Sequence, residues 1–138
     1  MSKPQNIHIS AALITDENGR CLLVRKKGST FFIQPGGKLE PGETAEEALV
    51  RELQEELNLS IRIESLNPLG RFTDIAINEP EHNLFADVFK IDFLPSTDAV
   101  PAAEIEEVIW LRPEDAKTVE LAPLTANQLI PLVTMKPI

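Results

Sequence analysis

The sequence predicts an α/β protein with a mixed β-sheet covered by helices on both faces. Three observations carry that expectation. Segments of strand character recur along the chain, from Ile7 to Leu111. One amphipathic helical stretch interrupts them after Thr44, and a second closes the chain from about Thr125 to Val133. Strands with one helix in their midst and one at their end bury both sheet faces when the helices lie on opposite sides. At 138 residues the chain is expected to form one domain, 1–138, long enough to bury a proper core.

Composition narrows the partners. Hydrophobic residues at 43% and charged residues at 25% are the ordinary balance of a soluble globular protein. The formal net charge of −9 argues against duplex nucleic acid, whose phosphates are bound by Lys and Arg. An anionic substrate would then need a metal to bridge it. Cys21 is the one cysteine, so no intrachain disulfide can form, and its apolar run marks it as a small core residue. No secretory, transit or membrane-spanning segment is visible, so no membrane partner and a cytoplasmic setting are expected. The oligomeric state stays open, a homodimer being one option.

After a short polar leader, Ile7 to Thr15 (IHISAALIT) is half alternating and half continuous apolar, the mark of a strand buried on at least one face. Asp16 to Gly19 reads as a turn ending in Asn-Gly, and Arg20 to Arg25 as a second strand, so a hairpin is expected. His8 reads as a strand residue without chemistry, because no Cys or His stands at ligand spacing from it. Arg25, Lys26 and Lys27 form the dense basic cluster of an acidic chain. They suit a solvated loop or, placed near a phosphate site, bidentate contact by Arg. Phe31 to Ile33 is a short apolar strand leading into Gln34-Pro35-Gly36-Gly37, where glycine lets backbone approach a ligand closely.

Thr44 followed by Glu47 is a capping box, which predicts a helix starting at about Ala45. Ala45, Leu49, Leu53 and Leu57 then form one apolar stripe, with Val50 at its edge. Glu52, Glu55 and Glu56 share an adjacent arc of roughly 100°. Like charges on neighbouring turns repel each other, and a hard divalent cation would convert that liability into a site. A solvated acidic face is the plain alternative. Beyond the helix, Ile61 to Leu66 alternates like a strand, Asn67 to Gly70 reads as a turn, and about Arg71 to Ile77 as a strand. Asn78 to Asn83 is a polar loop near the substrate, with His82 exposed in it. Leu84 to Leu94 and Ile105 to Leu111 read as strands separated by a loop. Pro113 opens a helical turn, and Pro131 should kink the last helix.

The wider spacing is more specific than the acidic face. Gly37, Glu43 and then Arg51-Glu52-Leu53-Gln54-Glu55-Glu56 set six identities at given distances, a chance match on the order of one in ten million per starting position. The stretch from Gly37 to Leu59 resembles the Nudix box of the Nudix hydrolases, with Leu53 and Leu59 at its aliphatic positions. Asn58 stands where that family usually has Gly. A left-handed helix C-terminus is needed there, and Asn is the next-best occupant.

The resemblance implies an α/β/α sandwich and a Mg²⁺ site, with Mn²⁺ able to substitute. It implies Glu52, Glu55, Glu56 and the Gly37 carbonyl as metal ligands. Arg51 and Glu43 would be an orienting ion pair, and Glu104, before the strand that ends near Trp110, a candidate general base. The implied substrate is a nucleoside diphosphate linked to another moiety, with Arg25, Lys38 and Asn127 as candidate contacts. Subfamily markers narrow it further. Ile75-Ala76 lacks the Pro of the ADP-ribose group, the chain has no Tyr as diadenosine polyphosphate hydrolases do, and Gly28 to Pro35 lacks the coenzyme A motif. The MutT-like set remains, converting nucleoside triphosphates to the monophosphate and pyrophosphate. ADP-ribose or nucleotide-sugar cleavage stays open, as does a non-catalytic nucleotide-binding module. Such modules usually lose box carboxylates, and this chain keeps Glu43, Glu52, Glu55 and Glu56.

Overall fold

A computed structural model of the protein describes residues 6–75, 83–92 and 94–134. Along these residues run β1 (Asn6–Ile14), β2 (Cys21–Lys26), β3 (Gly36–Lys38), α1 (Ala45–Leu57), β4 (Asn67–Ile75), β5 (Asn83–Ile91), β6 (Ile105–Leu111) and α2 (Ile130–Thr134). One sheet has the order β3-β1-β5-β4, and β2 pairs with β6 in a second. β1 and β5 are parallel, in register from Asn6↔Asn83 to Ile14↔Ile91, while β3 and β4 join antiparallel. The sheet is therefore mixed, as its alternation with a helix predicts.

The apolar run of β1 explains its central position. Ala11 to Ile14 are buried on both faces, and alternate side chains feed two cores. Ala12 and Ile14 pack with Leu22, Val24 and the α1 stripe of Leu49, Leu53 and Leu57. Ala11 and Leu13 pack with Cys21, Leu23 and the C-terminal Leu124, Leu129 and Ile130. Helices thus cover opposite faces, giving the α/β/α sandwich. Cys21 is a core thiol whose burial pushes its pKa up to about 12, which leaves it inert at neutral pH.

α1 begins and ends as its sequence dictates. The Thr44 hydroxyl accepts from the Glu47 amide, and the Glu47 carboxylate accepts from the Thr44 amide. At the other end Asn58 is left-handed (φ 56°, ψ 31°), and the Asn58 and Leu59 amides return to the Gln54 and Leu53 carbonyls. The buried Ser10 hydroxyl donates to the Ala45 carbonyl at 2.6 Å, tying β1 to the start of the helix.

Several local expectations give way to tertiary pairing. Among the described residues, backbone pairing of β1 with β2 is confined to the mouth of their turn, the Thr15↔Cys21 bridge and the Asp16 amide on the Arg20 carbonyl. Both edges of β1 are taken by β3 and β5, so the expected hairpin instead passes the chain from one sheet to the other. Phe31 to Ile33 makes isolated bridges, Val24↔Ile33 and Phe32↔Leu121, rather than a strand. Ile61 to Leu66 is not a strand. A 3₁₀ turn occupies Ile63–Ser65, and Ile63 is exposed because α1 and the sheet leave its side no core to face. The expected turn at Asn67 to Gly70 lies inside β4, whose position at the sheet edge tolerates Pro68 through a register shift before Gly70. The C-terminal helix widens to a π-turn at Thr125–Leu129, where the Ile130 amide reaches the Thr125 carbonyl. Pro131 has no N–H to return to the preceding turn, and the wider turn accommodates its ring. His82 and positions 78–82 lie outside the described residues. No helix among those described is long and apolar enough to cross a membrane.

Candidate active site

Helical geometry sorts the three glutamates of α1. At about 100° per residue, Glu56 lies roughly 20° from Leu49 at the edge of the buried stripe, Glu52 roughly 60° and Glu55 roughly 120°. Burial follows that order. Glu56 is 5% exposed, and the side chains of Glu52 and Glu55 are 15% and 56% exposed. Burial pushes the Glu56 carboxyl up to about 7, with the Glu52 and Glu104 charges adding to it while Lys26 and the Gly36 amide oppose. Glu52 is also raised by burial, against the pull of Arg51. The repulsion read from the helix face therefore falls on the two inner carboxylates.

Arg51 organises the loop around them. Its Nε and Nη2 donate to the two carboxylate oxygens of Glu43 at 2.8 and 2.9 Å. Nη1 donates to Glu52 at 2.8 Å and Nη2 to the Lys38 carbonyl at 3.1 Å. This bidentate fork, with planar geometry on both sides, draws the Glu43 carboxyl down to about 2 and raises the guanidinium. Glu43 and Arg51 thus form the orienting pair that joins the loop after β3 to the helix.

β3 supplies the close approach. Gly36 has φ 142°, and a Cβ there would stand 2.1 Å from the Ser10 carbonyl oxygen. A Cβ on Gly37 would fall 2.5 Å from Cδ of Glu52. Gly36 must be glycine for β3 to lie against the β1 backbone, and the missing side chain of Gly37 leaves the Glu52 carboxylate its place on the other side. Beside them opens a cavity of about 480 Å³. Glu52, Glu56 and Glu104 form its acidic part, with Lys26 and Lys38, while Ile7, Ile9 and Leu84 give it an apolar wall.

The expected residues divide at this cavity. Glu52, Glu56, Gly37, Lys38 and Glu104 line it, and Glu43 and Arg51 act on it through Glu52. Glu55 does not line it, and its exposed carboxylate lies 3.6 Å from Nη1 of Arg51. Arg25 turns away, donating to Glu107 and to the Ser29 carbonyl. Asn127 is exposed on the π-turn and does not line the cavity. Of the basic cluster expected near a phosphate site, Lys26 lines the cavity in place of Arg25, and Gln34 lines it without having been singled out. Lys26 shares its strand parity with Leu22 and Val24, which face α1, and that parity was the available signal. Gln34, 6% exposed, carried none.

Among the described residues no three carboxylate, imidazole or thiolate groups close on one point. The donors nevertheless fit a hard cation in kind: carboxylates of raised pKa beside a main chain stripped to glycine. Cation binding would relieve the charge that Glu52 and Glu56 impose on each other.

Comparison with known proteins agrees with this geometry. The chain is 36% identical over 84 residues to an ADP-ribose pyrophosphatase of Methanocaldococcus jannaschii, covering 59% of this chain and 48% of that one. It is 30% identical over 119 residues to the nucleoside triphosphatase NudI of an Enterobacter species, covering 78% and 84%. A crystal structure of a MutT protein from Methanosarcina mazei Go1 superimposes with a TM-score of 0.76 at 25% identity, covering 96% and 95%. The chain spans about half the length of several curated relatives it matches. The NUDIX domain model matches residues 5–133, nearly the whole of the sequence, and the chain therefore belongs to the Nudix family.

Proposed function

We propose that the protein hydrolyses a phosphoanhydride bond of a nucleoside triphosphate, releasing the monophosphate and pyrophosphate. The observation that carries this reading is a cavity of about 480 Å³ whose lining joins the half-buried Glu52 and buried Glu56 to the apolar Ile7, Ile9 and Leu84. Glu52, Glu55, Glu56 and the Gly37 carbonyl would hold Mg²⁺, or Mn²⁺ in its place. The bound cation would neutralise phosphoryl charge and lower the pKa of attacking water. Lys26 and Lys38, both on the lining, meet the phosphates as point charges. Glu104 reaches the cavity from the loop before β6 and takes the proton of the attacking water. Arg51 and Glu43 hold Glu52 in place and touch no substrate atom.

Similarity to a nucleoside triphosphatase over most of the chain supports the triphosphate reading. Similarity to an ADP-ribose pyrophosphatase supports the second, cleavage of ADP-ribose, although Ile75-Ala76 lacks that group's Pro. Cation-dependent release from a panel of nucleoside triphosphates, ADP-ribose and nucleotide sugars decides between them. A higher kcat/KM for ADP-ribose than for every triphosphate overturns the first reading. No release from any compound leaves a non-catalytic module.

A further inference from the structure

Gln34 is the uncharged polar side chain on a cavity lining that also carries Ile9, Ala11, Ile33 and Leu124, and it is 6% exposed. Its Oε1 accepts a hydrogen bond from the hydroxyl of Thr125, itself 1% exposed on the π-turn. The Nε2 amide has no acceptor among the described residues, yet no fully buried side-chain nitrogen or oxygen there lacks a partner. Nε2 therefore opens onto the cavity. An amide nitrogen carries two donors and no acceptor, so with its oxygen turned to Thr125 the end of Gln34 that faces the cavity is its N–H groups.

A nucleobase is apolar on its faces and polar on its edge, which matches a cavity lined by Ile7, Ile9 and Leu84 together with the fixed donor of Gln34. We propose that Gln34, its amide oxygen pinned by Thr125, reads the edge of the nucleobase as a donor and so selects a keto base over an amino base. The inference rests on the nucleotide reading above and adds the base class to it. Hypoxanthine presents a carbonyl oxygen where adenine presents an amino group. Adenine would set donor against donor at this edge, leaving both unpaired.

The test measures kcat/KM for inosine and adenosine triphosphates, with equilibrium binding of the two monophosphates, on three proteins. Wild type should favour the inosine compounds by at least about tenfold, the loss expected for one unmet buried hydrogen bond. Gln34→Leu should remove that preference by weakening the inosine compounds and relieving the adenosine compounds of the opposed donor. Thr125→Val keeps Gln34 but frees its oxygen, so the amide can turn and accept. Adenosine compounds should then improve and the preference shrink while turnover persists. Equal efficiency for the two bases in wild type, or a preference unchanged in both variants, overturns the role of Gln34 and leaves the hydrolase reading standing. Failure to bind or turn over either nucleotide overturns both.

Discussion

Gly36 and Gly37 are adjacent glycines on β3, and the structure gives them opposite failure modes when alanine is introduced. The Gly36 Cβ would sit 2.1 Å from the Ser10 carbonyl oxygen and 2.8 Å from the Ala11 Cα, at φ 142°. Both obstructing atoms are backbone of β1, which is locked between β3 and β5, so neither can withdraw. Overpacking costs about 1–3 kcal/mol and a sparsely populated backbone another 1–3. With about 2.1 cal/mol/K per residue of unfolding entropy over 138 residues, each kcal/mol moves Tm by about 3–4 °C. Gly36→Ala should therefore lose roughly 10–15 °C. The Gly37 Cβ meets only the Glu52 carboxyl, 2.5 Å away, at the end of a side chain that can swing. Its displacement breaks the 2.8 Å bond to Arg51, while the two Glu43 bonds remain. Gly37→Ala should then cost about 1 kcal/mol, or ~4 °C. Wild type should gain melting temperature from millimolar Mg²⁺ by mass action, and Gly37→Ala should lose most of that gain. Thermal melts by circular dichroism with and without Mg²⁺ read both effects. A Gly37→Ala protein that melts as low as Gly36→Ala, or that keeps the full Mg²⁺ shift, refutes the reasoning.

Other outcomes follow from single contacts. Glu56→Gln should lower kcat at least ~10²-fold, and Glu104→Gln should do the same with an altered pH profile. A Glu104→Gln enzyme of near-full activity would move the base to α1. Asp16, buried in the turn after β1, has its carboxyl raised by burial but brought net below its ordinary value by the Arg20 and Asn18 amides and the Arg20 guanidinium. Its lowered folded pKa contributes stability above the unfolded value of 3.8, and that stability is lost as pH falls through the folded one. Asp16→Asn should cost about 1–2 kcal/mol at neutral pH and flatten the acid limb of urea-unfolding stability. Ala103, left-handed at φ 53° just before Glu104, stores strain of about 1–2 kcal/mol. Ala103→Gly should raise Tm by a few degrees after the entropy cost of glycine, and a lower Tm would count against that strain.

What the sequence determined by itself was local in origin. The start of α1 at Thr44, its left-handed end at Asn58, its apolar stripe and the graded arc of Glu56, Glu52 and Glu55 depend on residues within a few positions of each other. Spacing and capping chemistry suffice for such features. The box identities Gly37, Glu43 and Arg51 were legible for the same reason, and the structure joins the last two through a fork across eight residues. Tertiary structure alone decided the rest. β1 pairs with β5 rather than β2 because its edges are filled from far along the chain, and no hairpin signal at Asn18-Gly19 records that competition. Strand parity already turns Lys26 to the cavity, but the Glu107 that holds Arg25 aside is brought by β6 from far along the chain. Gln34 is oriented by Thr125, 91 positions away, and the reach of a π-turn through Thr125–Leu129 depends on how that segment packs on the second core. Periodicity reports which face of an element is buried, but the partner that buries it is chosen by packing across the whole chain.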